Sequence, residues 1–170
     1  PPWVIKNHPY VENIIKSLRG NPCKKACKYC KNYLNIHKNL KYFFGYDDFR
    51  LFDGENLQEK SVQSAINGKS HLCIFPTGGG KSLSFQLPAL MSGRLSHSLT
   101  VVISPLQSLM KDQVDALNSL GIAGTFINSS LSNYEVEERI NKAGRGSYKL
   151  LYVAPERLES KSFLARINNL

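Results

Sequence analysis

No stretch of this sequence approaches the length of a membrane span, and no signal-peptide pattern opens it. A spanning or exported protein is therefore not the expectation. Acidic residues are in short supply: 13 Asp and Glu stand against 22 Lys and Arg, a formal net charge of +9. The deficit is uneven. Residues 1–50 carry ten basic and three acidic side chains, whereas residues 51–170 carry twelve and ten. A basic arm on a near-neutral body predicts a polyanionic partner, nucleic acid first; a merely solvated surface is the alternative. No internal repeat is visible, and cysteine is scarce, four residues in 170. That length is enough for one domain with a real core. The first residue is Pro1 and not methionine, and the expectation is an excerpt of a longer protein.

What is present is concentrated in Phe75-Pro-Thr-Gly-Gly-Gly-Lys-Ser82. Successive glycines let backbone N–H groups turn onto a phosphate. Lys81 supplies a cation for the β- and γ-phosphates, and the Ser82 hydroxyl can hold Mg²⁺. An apolar run, His71–Phe75, leads in as a strand and a helical stretch leads out from Lys81, which places the phosphate at a helix N-terminus. The general pattern has glycine where this chain has Phe75. A flexible surface turn is the bland alternative, and the strand–loop–helix context argues against it.

From residue 68 onward the pattern alternates. Strands are expected at 71–75, 99–103, 124–128 and 149–154. Pro88 should end or kink the helix opened by Ser82–Leu87. A helix over 106–120 closes at Gly121. Ser132-Asn-Tyr-Glu135 reads as a capping box, and Ala143-Gly144 ends the helix it starts. Such alternation predicts an α/β fold, a parallel sheet with helices on both faces, whose ligands bind at the carboxyl ends of the strands. Upstream, Val11, Ile14, Ile15 and Leu18 recur at helical spacing, and Gly20-Asn-Pro22 breaks that helix. The expected division is a basic N-terminal segment over 1–40 and an incomplete motor domain over 41–170.

Five motifs in one order resemble the RecQ family of superfamily 2 DNA helicases over about residues 40–165. Phe44-Gly-Tyr-Asp-Asp-Phe-Arg50 with Gln58 is similar to the motif that holds the nucleotide base. Pro76-Thr-Gly-Gly-Gly-Lys-Ser82 is similar to the family's phosphate loop, which commonly carries an apolar residue at the place of Phe75. Ile103–Val114 is similar to its strand-to-helix motif on the DNA backbone, and Asn128-Ser-Ser130 and Tyr152–Leu158 to two later motifs. The resemblance implies a RecA-like P-loop NTPase domain that uses ATP and Mg²⁺. It implies that Tyr46 and Arg50 stack on adenine, that Gln58 reads its edge, and that Thr77, Gly78, Gly79, Gly80, Lys81 and Ser82 hold the phosphates. Ser104, Gln107, Lys111, Asn128 and Ser129 become the expected contacts to DNA, a single strand at a duplex junction. Glu156 and Arg157 are expected to fix backbone geometry or touch phosphates. Unwinding in the 3′-to-5′ direction, an intracellular site of action and a second RecA-like domain with an arginine finger are implied as well. An RNA helicase of the same superfamily and a non-catalytic nucleic-acid-binding module are the alternatives.

Two departures from the family stand out. The family has Gln three residues after Arg, and here Gln58 lies eight after Arg50. About five extra residues within Leu51–Leu57 interrupt the motif, and Asp53-Gly54 predicts that they form a turn. The family's Asp-Glu-Ala-His motif is also absent from these 170 residues, so the expectation is half of an ATPase site.

Cys23, Cys27 and Cys30, with His37 seven residues on, are not part of the usual RecQ N-terminus. Three thiolates and an imidazole suit tetrahedral Zn²⁺. An iron–sulfur cluster is the second reading. The third is three thiols on one helical face, at i, i+4 and i+7. Disulfides are disfavoured in an intracellular ATP-using protein. Cys73, in the run before the glycine loop, reads as a small buried apolar residue. Lys24, Lys25, Lys28, Lys31, Lys38 and Lys41 lie among Tyr29 and Tyr33, a combination suited to phosphates and unpaired bases.

Overall fold

The structure is a computed structural model that describes residues 7–11, 13–14, 21–25, 27–96 and 98–167, with only the backbone of Leu95 and Ser96. Val11 and Ile14 are helical. Ile15 and Leu18, expected on the same face, lie outside the described residues. Two compact units divide the chain, Pro1–Met91 and Ser92–Leu170.

The first unit is helical. Helix α1 spans Lys28–Tyr33, α2 Ile36–Phe44, α3 Leu57–Ile66, and α4 begins at Lys81 and runs to Ser96. Helix α2 crosses residue 40, where the sequence reading sets its boundary. Asn35 caps α2 by accepting the Lys38 N–H, and Gly45 closes it at φ 72°. Ile36 and Leu40, one turn apart, face Val62 of α3 and Leu83, Leu87 and Met91 of α4, with Phe49 between. Burying an aliphatic side chain of this size contributes about 1.5–3 kcal/mol. That cluster sets the base of the loop between α3 and α4.

Two expectations meet the structure differently in this unit. Of the two effects expected of Pro88, an end or a kink, the end is not found; α4 continues through it. Proline removes one donor, to the Ser84 carbonyl, but Leu83, Leu87, Leu90 and Met91 are all buried along α4, and their burial outweighs one lost hydrogen bond. The run His71–Phe75 joins no ladder. It keeps the period of two without the pairing. His71 and Cys73 both bond Ser61 of α3 at 2.8 Å, Phe75 is buried, and Leu72 and Ile74 are 85% and 82% exposed. Alternation in sequence reports a two-sided environment, and here α3 supplies the inner side. Cys73 is half-buried and donates to a hydroxyl, so it is not the purely apolar residue expected.

The second unit is α/β. Strand β1 spans Thr100–Ile103, helix α5 Gln107–Ser119, β2 Gly124–Ile127, α6 Asn133–Gly144 and β3 Leu150–Val153; a 3-10 turn over Pro155–Glu159 leads into α7, Lys161–Ile167. The strands form a parallel sheet in the order β1-β3-β2, with Ile103, Val153 and Ile127 in one row. Central β3 is wholly buried. Ile127, Leu151 and Val153 pack on Val136 and Ile140 of α6 and Phe163 of α7. Gly124 shows its other face to α5, where an added Cβ would lie 3.3 Å from the Leu117 side chain. Helices thus cover both faces, as the alternation predicts. The expected stops are present too. The N–H groups of Gly121 and Ile122 return to the carbonyls of Asn118 and Leu117, with Gly121 at φ 73°, a Schellman ending. The Ser132/Glu135 capping box is complete.

Candidate functional site

The five residues that interrupt the base motif build a hairpin. Asp53 and Gly54 both have positive φ, 49° and 81°, and Phe52 and Glu55 exchange hydrogen bonds of 3.0 and 2.8 Å. This is the turn expected from Asp53-Gly54, of the kind that needs φ > 0 at both central residues. Lys60 pairs with Glu55 at 2.7 Å and holds that carboxyl below its usual pKa by hydrogen bond and charge. The hairpin carries Phe52 onto Phe75, ring centroids 4.9 Å apart and planes 12° from parallel. Sequence reasoning missed this contact. The signal was there: an aromatic inside the inserted residues and an aromatic where the general loop has glycine.

Three side-chain bonds tie the base motif to the glycine loop. The Gln58 amide accepts the Arg50 N–H at 3.0 Å and donates to the Gly80 carbonyl at 3.0 Å. Arg50 Nη1 donates to the Gly78 carbonyl at 2.8 Å. Gln58 is only 2% exposed, so both ends of its amide are committed in a dry place, with one N–H and one lone pair to spare. The extra residues have not displaced Gln58 from the loop; the hairpin absorbs them. Gly80 has φ +68°, and a Cβ there would lie 2.6 Å from Gln58 Nε2; at Gly79 it would lie 2.8 Å from the Pro76 carbonyl oxygen. The loop is therefore closed to side chains. Lys81 opens α4, exposed, with Nζ donating to the Phe75 carbonyl at 3.1 Å.

A cleft of about 540 Å³ lies over this loop, lined among others by Tyr46, Arg50, Gln58, Gly78, Gly80 and Ser82. That volume suits a small-molecule ligand. The expected stacking pair, the edge reader, two of the three glycines and the Mg²⁺-side hydroxyl thus converge on one cavity; Thr77 is exposed beside it. Tyr46 is 58% exposed and lies parallel to Phe44 with ring centroids 6.4 Å apart. Asp47, also in the lining, is bonded by Lys41 at 2.6 Å, which keeps its carboxyl below the ordinary range. Ser82, half-buried in the lining, is the one loop hydroxyl that faces this cavity among the described lining residues.

In the second unit the remaining expected residues sit at the carboxyl edge of the sheet. Ser104 follows β1 and its N–H bonds the Val153 carbonyl at 3.1 Å. Asn128 follows β2 and is buried. Gln107, first residue of α5, donates to the Ser129 hydroxyl at 2.8 Å and so bridges the two loops. Lys111 lies one turn further along α5, on the Gln107 face and exposed. Arg157 holds the loop after β2 from behind: Nη2 and Nε donate to the Asn128 carbonyl at 2.7 and 3.2 Å. It fixes backbone geometry, the first of the two roles expected of it. Asn128 itself accepts the Ser130 N–H and hydroxyl at 3.1 and 2.7 Å, so its side chain shapes the loop, while Ser129 and Gln107 are the exposed members.

The cysteines come together without His37. The three Sγ atoms lie within 4.8 Å of one another. The His37 ring instead contacts Glu59 Oε1 at 3.0 Å and Asp48 Oδ1 at 3.5 Å and packs edge-on against Phe49. Helix α2 turns it toward α3, away from the thiols. The single helical face is not what gathers the sulfurs either: α1 begins only at Lys28, and Cys27 is its N-cap.

Comparisons with known proteins bear on all of this. The DEAD/DEAH box helicase family matches residues 55–170. The ATP-dependent DNA helicase RecQ of Bacillus subtilis is 47% identical over 126 residues, 74% of this chain and 20% of that protein. RecQ of Haemophilus influenzae is 45% identical over 129 residues, 76% of this chain and 19% of that protein. The rat ATP-dependent DNA helicase Q5 is 38% identical over 138 residues, 79% of this chain and 13% of that protein. The chain thus spans about a fifth or less of the length of these relatives. No helix among the described residues is long and apolar enough to cross a membrane.

Proposed function

The chain belongs to the DEAD/DEAH box helicase family and is RecQ-like across its motor motifs, and from that premise we propose that it grips ATP and a DNA strand within a larger ATP-dependent DNA helicase. The observation that carries the reading is the Gln58 amide, bonded at once to Arg50 of the base motif and Gly80 of the phosphate loop. Whatever moves the base moves the phosphate cradle with it. Tyr46 and Arg50 flank the adenine, Gln58 faces its edge with its spare N–H and lone pair, and the loop amides with Lys81 take the phosphates. Mg²⁺, when bound with the nucleotide, neutralises phosphate charge, and Ser82 is the residue here that would hold it. Binding requires Lys81 Nζ to leave the Phe75 carbonyl and Arg50 to leave that of Gly78.

DNA, on this reading, lies along the carboxyl edge of the sheet. Ser104, Gln107, Ser129 and Lys111 meet phosphates there, which fixes position and carries no sequence information. Turnover and 3′-to-5′ unwinding belong to the intact protein, in which a second RecA-like domain faces the nucleotide. The work is done inside the cell, where free thiols such as these four stay reduced.

Gln58→Ala tests the base assignment. It removes the spare N–H and lone pair that would meet the adenine edge, about 0.5–1.5 kcal/mol for each hydrogen bond lost, so ATP affinity should fall by roughly threefold to tenfold or more. GTP affinity should fall less, because guanine never made the edge contact. Competition titrations with both nucleotides read this directly. An equal loss for ATP and GTP would leave Gln58 a brace for the loop and remove it from base recognition.

A further inference from the structure

Neither the nucleotide nor the DNA reading uses Cys23, Cys27 and Cys30. Their local structure is compact. The Cys27 N–H bonds the Lys24 carbonyl at 3.1 Å, which closes a turn. The Cys30 N–H donates to Cys27 Sγ and the Cys23 N–H to Cys30 Sγ, each at 3.5 Å. Backbone N–H groups aimed at sulfur are the outer-shell bonds that orient a metal's ligands. Helix α1, which carries Cys30, is six residues long and buries no residue. A helix that short does not persist on propensity alone. Its contacts include the Tyr29–Tyr33 ring pair at 4.1 Å, the Lys38 Nζ bond to Asn32 Oδ1 at 2.7 Å and the Asn39 Nδ2 bond to the Tyr33 carbonyl at 3.0 Å, all at an exposed or half-buried surface. Such a segment needs a staple.

The spacing of the sulfurs selects the staple. Two thiolates on one tetrahedral ion with bonds near 2.3 Å stand about 3.8 Å apart. Here Cys23 and Cys30 Sγ are 3.5 Å apart and all three lie within 4.8 Å. In an iron–sulfur cluster three cysteines do not share one iron: a four-iron cluster holds each on its own iron and a two-iron cluster two per iron, so at least one sulfur of three stands farther off. A disulfide needs about 2.05 Å and would use only two of the three. Three thiolates on a divalent ion leave a charge of about −1, and Lys24, Lys25, Lys28 and Lys31 are interleaved with the cysteines in sequence.

We propose that Cys23, Cys27 and Cys30 bind one Zn²⁺ as thiolates, and that the ion fixes the fold of the basic arm ahead of the nucleotide site. Each thiol that ligates releases its proton. Among the described residues no His, Cys, Asp or Glu joins the three, so the fourth position is filled by water or by a group outside them.

The test is metal analysis of the intact protein, purified anaerobically without chelator, beside Cys27→Ser/Cys30→Ser. The double variant should carry about one zinc per chain less than the parent; zinc held elsewhere is common to both and cancels. His37→Ala and Cys73→Ser should lose none. Reloading with Co²⁺ should give an intense tetrahedral visible band and a thiolate-to-metal band that Cys30→Ser lowers by roughly a third. Tryptic cleavage after Lys24, Lys25, Lys28 and Lys31 should speed up about tenfold or more on chelation, because the open form becomes populated. Equal zinc in parent and double variant overturns the site. So do iron with inorganic sulfide lost in that variant, and cleavage indifferent to chelator.

Discussion

Lys81→Ala is expected to cut ATP turnover by the intact protein about 10²–10³-fold, the usual effect of removing one preorganised group from the charge that develops in a transition state. The fold should not change. Lys81 is exposed, its ammonium donates to the Phe75 carbonyl, and alanine is the better helix former at the first position of α4. Phosphate release measured beside a thermal melt separates the two effects. A variant that melts as the parent does and hydrolyses ATP at the parental rate would remove the nucleotide assignment.

Gly79→Ala should be nearly as damaging, through shape alone. The added Cβ would lie 2.8 Å from the Pro76 carbonyl oxygen and 3.2 Å from both the Phe75 Cβ and the Phe52 ring. Phe52 can turn aside. The Pro76 carbonyl cannot do so cheaply, because it accepts the Gly79 N–H at 3.0 Å and closes the loop. Overpacking of this kind costs about 1–3 kcal/mol, which corresponds to a loss of ATP affinity of about five- to 150-fold. Gly78→Ala is the control: its Cβ meets nothing within 4 Å, and its penalty comes only from φ +76°. Parental ATP affinity in Gly79→Ala would contradict the loop geometry described above.

Most of the second unit was legible in the sequence because its signals are local. The capping box at Ser132 and Glu135 and the stop at Gly121 each satisfy backbone groups within a few residues, so the residues that dictate them are adjacent. The same is true of the Asp53-Gly54 turn. The failures depended on what lies across space. His71–Phe75 carries the alternation of a strand, but what it faces is Ser61 of α3, not a neighbouring strand. Pro88 signals a break, yet the buried side chains of α4 carry the helix past it. His37 stands at a spacing that suits a metal ligand, and the direction of α2 gives it to Glu59 and Asp48. That Tyr46, Arg50, Gln58 and Ser82 line one cleft was legible through motif order. That Gln58 bonds both motifs, and that Phe52 stacks on Phe75, depends on how the hairpin folds back and has no short-range signature.

The most direct test of the central claim is ATP hydrolysis by the intact protein, measured with and without single-stranded DNA. The account predicts hydrolysis that needs Mg²⁺, rises severalfold on adding DNA, rises less on adding RNA of the same sequence, and falls about 10²–10³-fold in Lys81→Ala. Hydrolysis that RNA stimulates as strongly as DNA would point to an RNA helicase. No hydrolysis under any of these conditions, or hydrolysis indifferent to both DNA and Lys81, would contradict the account.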